Sequence, residues 1–351
     1  MIDYLAANFK GSAPGVVVPG RVQATITEWD VPTPNSLPHD IISTRNGIWY
    51  TGQFANLLGR FDPKTQQFEE YRLRPDTHPV SLRESQGGNT LGSIYFSSQT
   101  GGLIGEFHPM LGYMGYWGKG DVVVHPVPVT GPELLPHPQF LLHDIAPGEG
   151  GHWFTVPAAR PPLYPEGSKI GVAHNLSFEV KLADLPTRSG DPTGLVVNSK
   201  GFPFFAERNS PRLGSVNPRT MQVTEYLLPD PGSGVTSLTS TPDDVVWYTD
   251  YRRGYLGRFD PKTGKFSEWP SPSGPRSLPD AITHAGNIIW YAEAGTKPNM
   301  LVRFDPKTEK FQSWEVKAGG GIKHIHADPD GGLWFTRPLT NGIAHVTIKE
   351  Q

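Results

Sequence analysis

Short apolar runs of about five or six residues, alternating with polar positions and bounded by Gly, Pro, Asp or Asn, recur along the whole chain. Runs of that length and character read as strands; amphipathic helices would repeat their apolar positions every 3.6 residues. Seven runs carry two adjacent aromatic residues followed by a small one: Trp49-Tyr50-Thr51, Tyr95-Phe96-Ser97, Trp153-Phe154-Thr155, Phe204-Phe205-Ala206, Trp247-Tyr248-Thr249, Trp290-Tyr291-Ala292 and Trp334-Phe335-Thr336. About ten residues later comes a second string. It is Arg60-Phe61-Asp62-Pro63-Lys64-Thr65, repeated at Arg258 to Thr263 and Arg303 to Thr308, with weaker copies at Glu106 to Pro109 and Ser215 to Thr220. Between strands, Asp-Pro-Lys-Thr-Gly is a turn, because Pro presets φ and Gly or Asn tolerates positive φ.

The aromatic strings are separated by 46, 58, 51, 43, 43 and 44 residues, so the unit is near 44 with insertions around the third copy. Each unit reads as four strands, the mark of a β-propeller blade. The chain is therefore expected to be an all-β, seven-bladed propeller of four-stranded antiparallel blades. The last unit stops one strand short after Ile343-Ala344-His345-Val346, while Ala24 to Trp29 is an orphan strand. The N-terminal strand is expected to complete the last blade and remove an open sheet edge. This divides the chain into residues 1–21, a helical stub and Gly/Pro linker, and residues 22–351, the propeller.

Composition changes this picture in a few places. A length of 351 residues alone points to two domains, but the repeat makes one ring. The 40 Gly and 36 Pro fit a chain that turns often, and 36% hydrophobic residues supply a core. Charges nearly cancel, 31 Lys plus Arg against 34 Asp plus Glu, with no basic cluster, so no nucleic-acid partner is expected. No apolar run reaches the ~20 residues of a membrane helix. With no Cys, a metal would have to be held by His, Asp or Glu.

Pro-His-Asp-Ile at 38–41, followed by Asn-Gly-Ile-Trp-Tyr-Thr and then Leu-Gly-Arg-Phe-Asp-Pro, resembles the repeat of the streptogramin B lyases (virginiamycin B lyase), seven-bladed propellers, over roughly residues 22 to 347. The stub through Phe9 and the linker to Gly20 look like the tail of a c-type cytochrome module. From this we expect a periplasmic or secreted protein with a fused or associated cytochrome c-like module.

Propeller geometry locates a site. The first strand of each blade lines the central channel, and residues that open strand one and close strand two share a rim. Counting ten residues back from each aromatic pair gives His39, Ser85, His143, Gly194, Ser237, Asp280 and His324. Histidines and a carboxylate converging on one mouth suit a divalent metal, Mg²⁺ or a transition metal, or an acid/base pair. His326 shares a strand face with His324. Expected metal ligands are His39, His143, His324 and His326; expected catalytic residues are His324, His143, Asp280 and Glu293. Strand two closes on Glu207, Asp250 and Glu293, read as bases or orienting partners, with salt bridging to Arg208, Arg252 and Arg253 as the alternative. Two insertions, Lys119 to Leu142 and Pro157 to Ser168, are expected on the same rim. His125, His137, Arg160 and Tyr164 there, with Glu207 and Asp250, are candidate contacts to a small-molecule substrate. His108, His152, His174 and His345 read as structural.

In streptogramin lyases a histidine opening the penultimate blade and a Glu-x-His opening the last are associated with a divalent metal and an elimination that opens a cyclic ester. His324 matches the last histidine; Asp280 stands at the first histidine's position and Ile322 at the glutamate's. The resemblance implies a metal-assisted lyase on a small or cyclic ester-type substrate. A transition-metal enzyme resembling the carotenoid-cleavage enzymes, and a non-enzymatic ligand-binding or scaffold propeller, remain the alternatives. No Gly-x-Ser-x-Gly elbow or His-Glu-x-x-His occurs, so neither a serine hydrolase nor that metalloprotease class is supported.

Overall fold

The computed structural model describes residues 12–73, 75, 77–84, 92–99, 103–109, 122–126, 142–148, 151–157, 167–174, 180–317 and 319–350. It contains seven four-stranded antiparallel sheets arranged as the expected propeller. Blade one is Pro38–Thr44, Gly47–Gly52, Leu57–Asp62 and Gln67–Arg72, and the others repeat that order. Blade seven consists of Ile325–Ala327, Leu333–Arg337, Gly342–Glu350 and, antiparallel to the last, Val22–Asp30. The orphan strand thus closes the ring as the sequence predicts. Residues 1–11 and the stub expected there lie outside the described residues. The linker runs beside blade six, where Ala13–Pro14 pairs in parallel with Thr296–Lys297.

The aromatic pairs explain why the ring holds together. Neighbouring residues on a strand point to opposite sheet faces. Trp247 therefore packs in the apolar cluster between blades five and six, while Tyr248 packs between blades four and five. Seven such clusters occupy the seven blade junctions, so the core is a set of wedges between sheets. The Gly of Leu-Gly-Arg-Phe makes room for the second aromatic: a Cβ on Gly59 would lie 1.9 Å from Tyr50 Cζ, and one on Gly214 would lie 2.1 Å from Phe205 Cζ. In the Asp-Pro-Lys-Thr turns, Asp62, Asp260 and Asp305 each accept a hydrogen bond from the backbone N–H two residues on. The following positive-φ position is Gln66, Gly264 or Glu309, so glycine is used there only once among these three.

The small residue after the aromatic pair has a specific task. Thr51 Oγ1 donates to Val80 O, Ser97 Oγ to His143 O, Thr249 Oγ1 to Asp280 O and Thr336 Oγ1 to His39 O. Each hydroxyl reaches the opening residue of the next blade. Four of the seven junctions, including that between blades seven and one, are latched in this way among the described residues.

Three expectations about position need correction. Strand one opens with a bulge in which two residues face one on strand two, as between Pro38 and Ile41. Hairpin lengths also differ, so counting ten back does not find one level. Aligned by pairing, the first bulge position holds His39, Val80, His143, Thr193, Thr236, Asp280 and Lys323, and the second holds Asp40, Ser81, Asp144, Gly194, Ser237, Ala281 and His324. Val80, not Ser85, belongs to blade two, whose first hairpin is longer. His324 sits one residue deeper than His39 and His143. Finally, Val122–Pro126 is the outer strand of blade two, so the stretch from Lys119 is not wholly an insertion, and His125 lies on that strand.

Candidate functional site

The first strands of all seven blades line a cavity of about 300 Å³ in the channel. Residues from both bulge positions line it, and His39, not itself among them, packs against the lining residues His324 and His143. His39 and His324 lie with ring centroids 5.6 Å apart, and His39 and His143 6.5 Å apart. The structure therefore brings together three histidines read from the sequence. His326 lines the same cavity one step further along the strand, as strand alternation requires.

The decisive neighbours are residues the sequence reading passed over. Asp40 is 1% exposed and accepts from Ile41 N (2.7 Å), Leu82 N (2.7 Å), Arg83 Nη1 (2.9 Å) and His324 Nδ1 (2.9 Å). Arg83 Nη2 continues to Asp144 Oδ1 at 3.1 Å. Asp144 also accepts from Ser81 Oγ, Ile145 N and Leu195 N. Lys323 Nζ reaches across to Asp280 Oδ2 at 2.7 Å, and Thr236 and Ser237 hold the other Asp280 oxygen. The signal that could have found Asp40 and Asp144 was present: His-Asp-Ile occurs at 39–41 and again at 143–145.

These contacts set the protonation states apart. Burial depresses the basicity of His39 far below the usual histidine range, and the charges of His324 and Lys323 lower it further. Burial likewise brings His143 down to about 4, with Lys323 adding to the effect, and His326 to about 4, with Arg83 adding to it. His324 is partly buried, and burial alone would lower it too, but the Asp40 carboxylate beside it and the hydrogen bond between them outweigh burial and raise its pKa. Asp40 itself would be raised by burial; the fields of His324 and Arg83 overcome this and hold it far below the usual carboxylate range. Asp280 is lowered against burial by Lys323.

Tautomers follow from geometry. His39 Nδ1 lies 3.0 Å from Val80 O, which can only accept, so Nδ1 carries the proton and Nε2 the lone pair. His324 Nδ1–H donates to Asp40, and the raised pKa of the ring favours the form in which Nε2 also carries a proton. Two rings tuned in opposite directions thus stand side by side.

Of the three carboxylates expected on the strand-two end, two are held by other partners. Asp250 accepts from Gly234 N, Arg252 N, Arg253 N and Arg253 Nε, bracing a turn, as the salt-bridge alternative anticipated. Glu293 accepts from Ser273 N and Oγ. Glu207 is 0% exposed without a hydrogen bond of good geometry to its carboxyl oxygens, while Arg208 pairs with Asp191. None of the three lines the cavity. Arg160, Tyr164 and His137 fall outside the described residues. His108, next to Ser93 and Glu106, and His152, stacked on Tyr95, are structural contacts.

The mouth's own chemistry tests the metal that the family resemblance implies. Asp40 is taken by His324 and Arg83, Asp144 by Arg83, and Asp280 by Lys323, so no carboxylate is left to neutralise a divalent cation. Among the described residues no group of three His, Asp or Glu side chains is arranged to hold a metal ion. The donor set does not fit that group.

Three solved structures share this fold over 93% of the chain, each with a TM-score of 0.76. They are a streptogramin B lyase, 24% identical and covered to 98%; selenomethionine-substituted virginiamycin B lyase from Staphylococcus aureus, 21% identical and covered to 99%; and a catalytically inactive histidine-to-alanine variant of the Staphylococcus aureus lyase with quinupristin, 20% identical and covered to 99%. No curated protein matches the sequence. The sequence profile of the Virginiamycin B lyase family matches residues 178–351, which hold Asp280, Lys323 and His324 but not His39 or Asp40. The chain is a streptogramin B lyase-like seven-bladed β-propeller.

Proposed function

We propose that the channel mouth is the active site of a lyase that eliminates a carboxylate from a small or cyclic ester-type substrate. The observation that carries this reading is the pairing of two histidines with ring centroids 5.6 Å apart and opposite tuning, His39 lowered by burial and His324 raised against burial by the Asp40 carboxylate, which suits a proton-transfer reaction. In the reaction, His39 Nε2 takes the proton from the carbon next to a carbonyl. The electrons of that C–H bond form a carbon–carbon double bond, and the C–O bond at the next carbon breaks. The departing carboxylate receives a hydrogen bond from His324 Nε2–H. Lys323, whose charge acts on His39, supplies positive charge as the carbonyl oxygen gains electron density. Asp40 fixes the orientation and charge of His324. His143, also neutral, borders the same space and completes the wall.

Quinupristin, present with the inactive lyase variant of the same fold, is the natural first probe, together with acylated threonine esters. The wild-type protein is expected to generate the ultraviolet absorbance of a dehydroamino acid from at least one of these, and His39→Ala and His324→Ala are expected to lose it. Full activity in His324→Ala, or no product from any member of the set, overturns the reading.

A further inference from the structure

We propose that Lys323 is a built-in cation, holding with its ammonium group the place in the mouth that an exogenous divalent ion would otherwise take, so that the site works without metal. The proposal rests on the mouth being the working site, but its evidence is independent of any substrate. Lys323 occupies the first bulge position of blade seven, level with His39 and His143 on their own blades. Its side chain crosses to blade six and meets Asp280 Oδ2 at 2.7 Å. Its charge is felt at both neutral imidazoles.

Charge matching carries the argument further. Each of the three buried carboxylates has a basic partner within 3.1 Å: Asp40 has Arg83 and His324, Asp144 has Arg83, and Asp280 has Lys323. A dication added to this set would stand against the ammonium with no free carboxylate, and an ion in a buried site needs such compensation. Remove the ammonium, and the picture reverses. The Asp280 carboxylate is then left at the mouth without its counter-charge, an oxygen donor with which a hydrated divalent ion can pair. Within the lyase reading, Lys323 would polarise the carbonyl oxygen of the substrate, a role otherwise open to a Lewis-acidic ion.

The test is titration of the purified protein with Mn²⁺ followed by electron paramagnetic resonance, which sees the free aqueous ion and needs no substrate. Wild type and Lys323→Arg are expected to leave the ion free. Lys323→Met is expected to bind one equivalent, at least about tenfold more tightly than wild type, and Lys323→Met/Asp280→Asn is expected to lose that gain. Thermal unfolding of each variant checks that the ring is intact. One equivalent of Mn²⁺ on the wild-type protein, lost in Asp280→Asn, overturns the proposal, as does a folded Lys323→Met that binds no better than wild type. Wherever a substrate is turned over, product formation unaffected by chelator supports it, and abolition by chelator overturns it while leaving the elimination itself standing.

Discussion

Replacing Asp40 by Asn probes the electrostatic arrangement on which the mouth depends. The carboxylate is buried and accepts four hydrogen bonds, two from backbone N–H groups and two from charged side chains. An amide of the same shape turns an NH₂ toward one pair of these donors and removes the negative charge from both cations. Breaking a buried ion pair from one side costs about 3–5 kcal/mol. Asp144 still holds Arg83 at 3.1 Å, which places the expected loss at the lower end, about 3 kcal/mol near pH 7, or a fall in Tm of roughly 5 °C for a chain of this size. The pH dependence is more telling. In the wild type the folded pKa of His324 lies above its unfolded value of 6.5, so its pairing contributes fully below 6.5 and fades as pH rises through the folded value. In Asp40→Asn the ring remains buried beside Arg83 without its counter-charge, so it titrates below 6.5 and acid opposes folding. The gap in Tm between the two proteins should therefore widen as pH falls from 8 to 5. Calorimetry across that range, with the His324 ring followed by NMR, provides the measurement. A gap that stays constant or narrows toward pH 5 refutes the reasoning.

Three further outcomes are expected. Burial, followed by the nearby Glu225, pushes Glu207 up to about 8, so the folded chain keeps a proton that the unfolded chain releases near 4.5 and stability falls as pH rises between those values. Glu207→Gln should match wild type near pH 4.5 and exceed it by about 2 kcal/mol at pH 9 after allowance for screening, as measured by urea unfolding at both values. Thr336→Val leaves His39 O and His324 N without the hydroxyl between them and should cost about 2 kcal/mol by the same measurement. Gly214→Ala would press a methyl into the Phe205 ring and should destabilise the protein by about 3 kcal/mol, visible as a lowered denaturation midpoint with an unchanged slope.

Much of the ring was legible because its rules are local. Aromatic pairs, Asp-Pro-Lys-Thr turns and the Gly of Leu-Gly-Arg-Phe recur wherever the same packing recurs, and the unpaired first and last strands point to each other. The rim was only half legible. The histidines stood out by residue type, but their level depends on bulges and hairpin lengths that composition does not display. Asp40, Arg83 and Lys323 were hidden for a different reason. Charged residues on a chain mostly face solvent, and only the convergence of seven blades shows that these face one another. Asp250 and Glu293 illustrate the converse: a carboxylate at the right end of a strand can be spent wholly on the turn beside it.

Ring closure has a further consequence for the order in which the protein is made. His39 lies near the start of blade one and His324 in blade seven, on opposite sides of the seam that Val22–Asp30 and the Thr336 latch close. During synthesis six blades are made between the two rings, so a chain that stops before blade seven carries His39 without His324. The meeting of the two rings therefore waits until blade seven has been closed by Val22–Asp30.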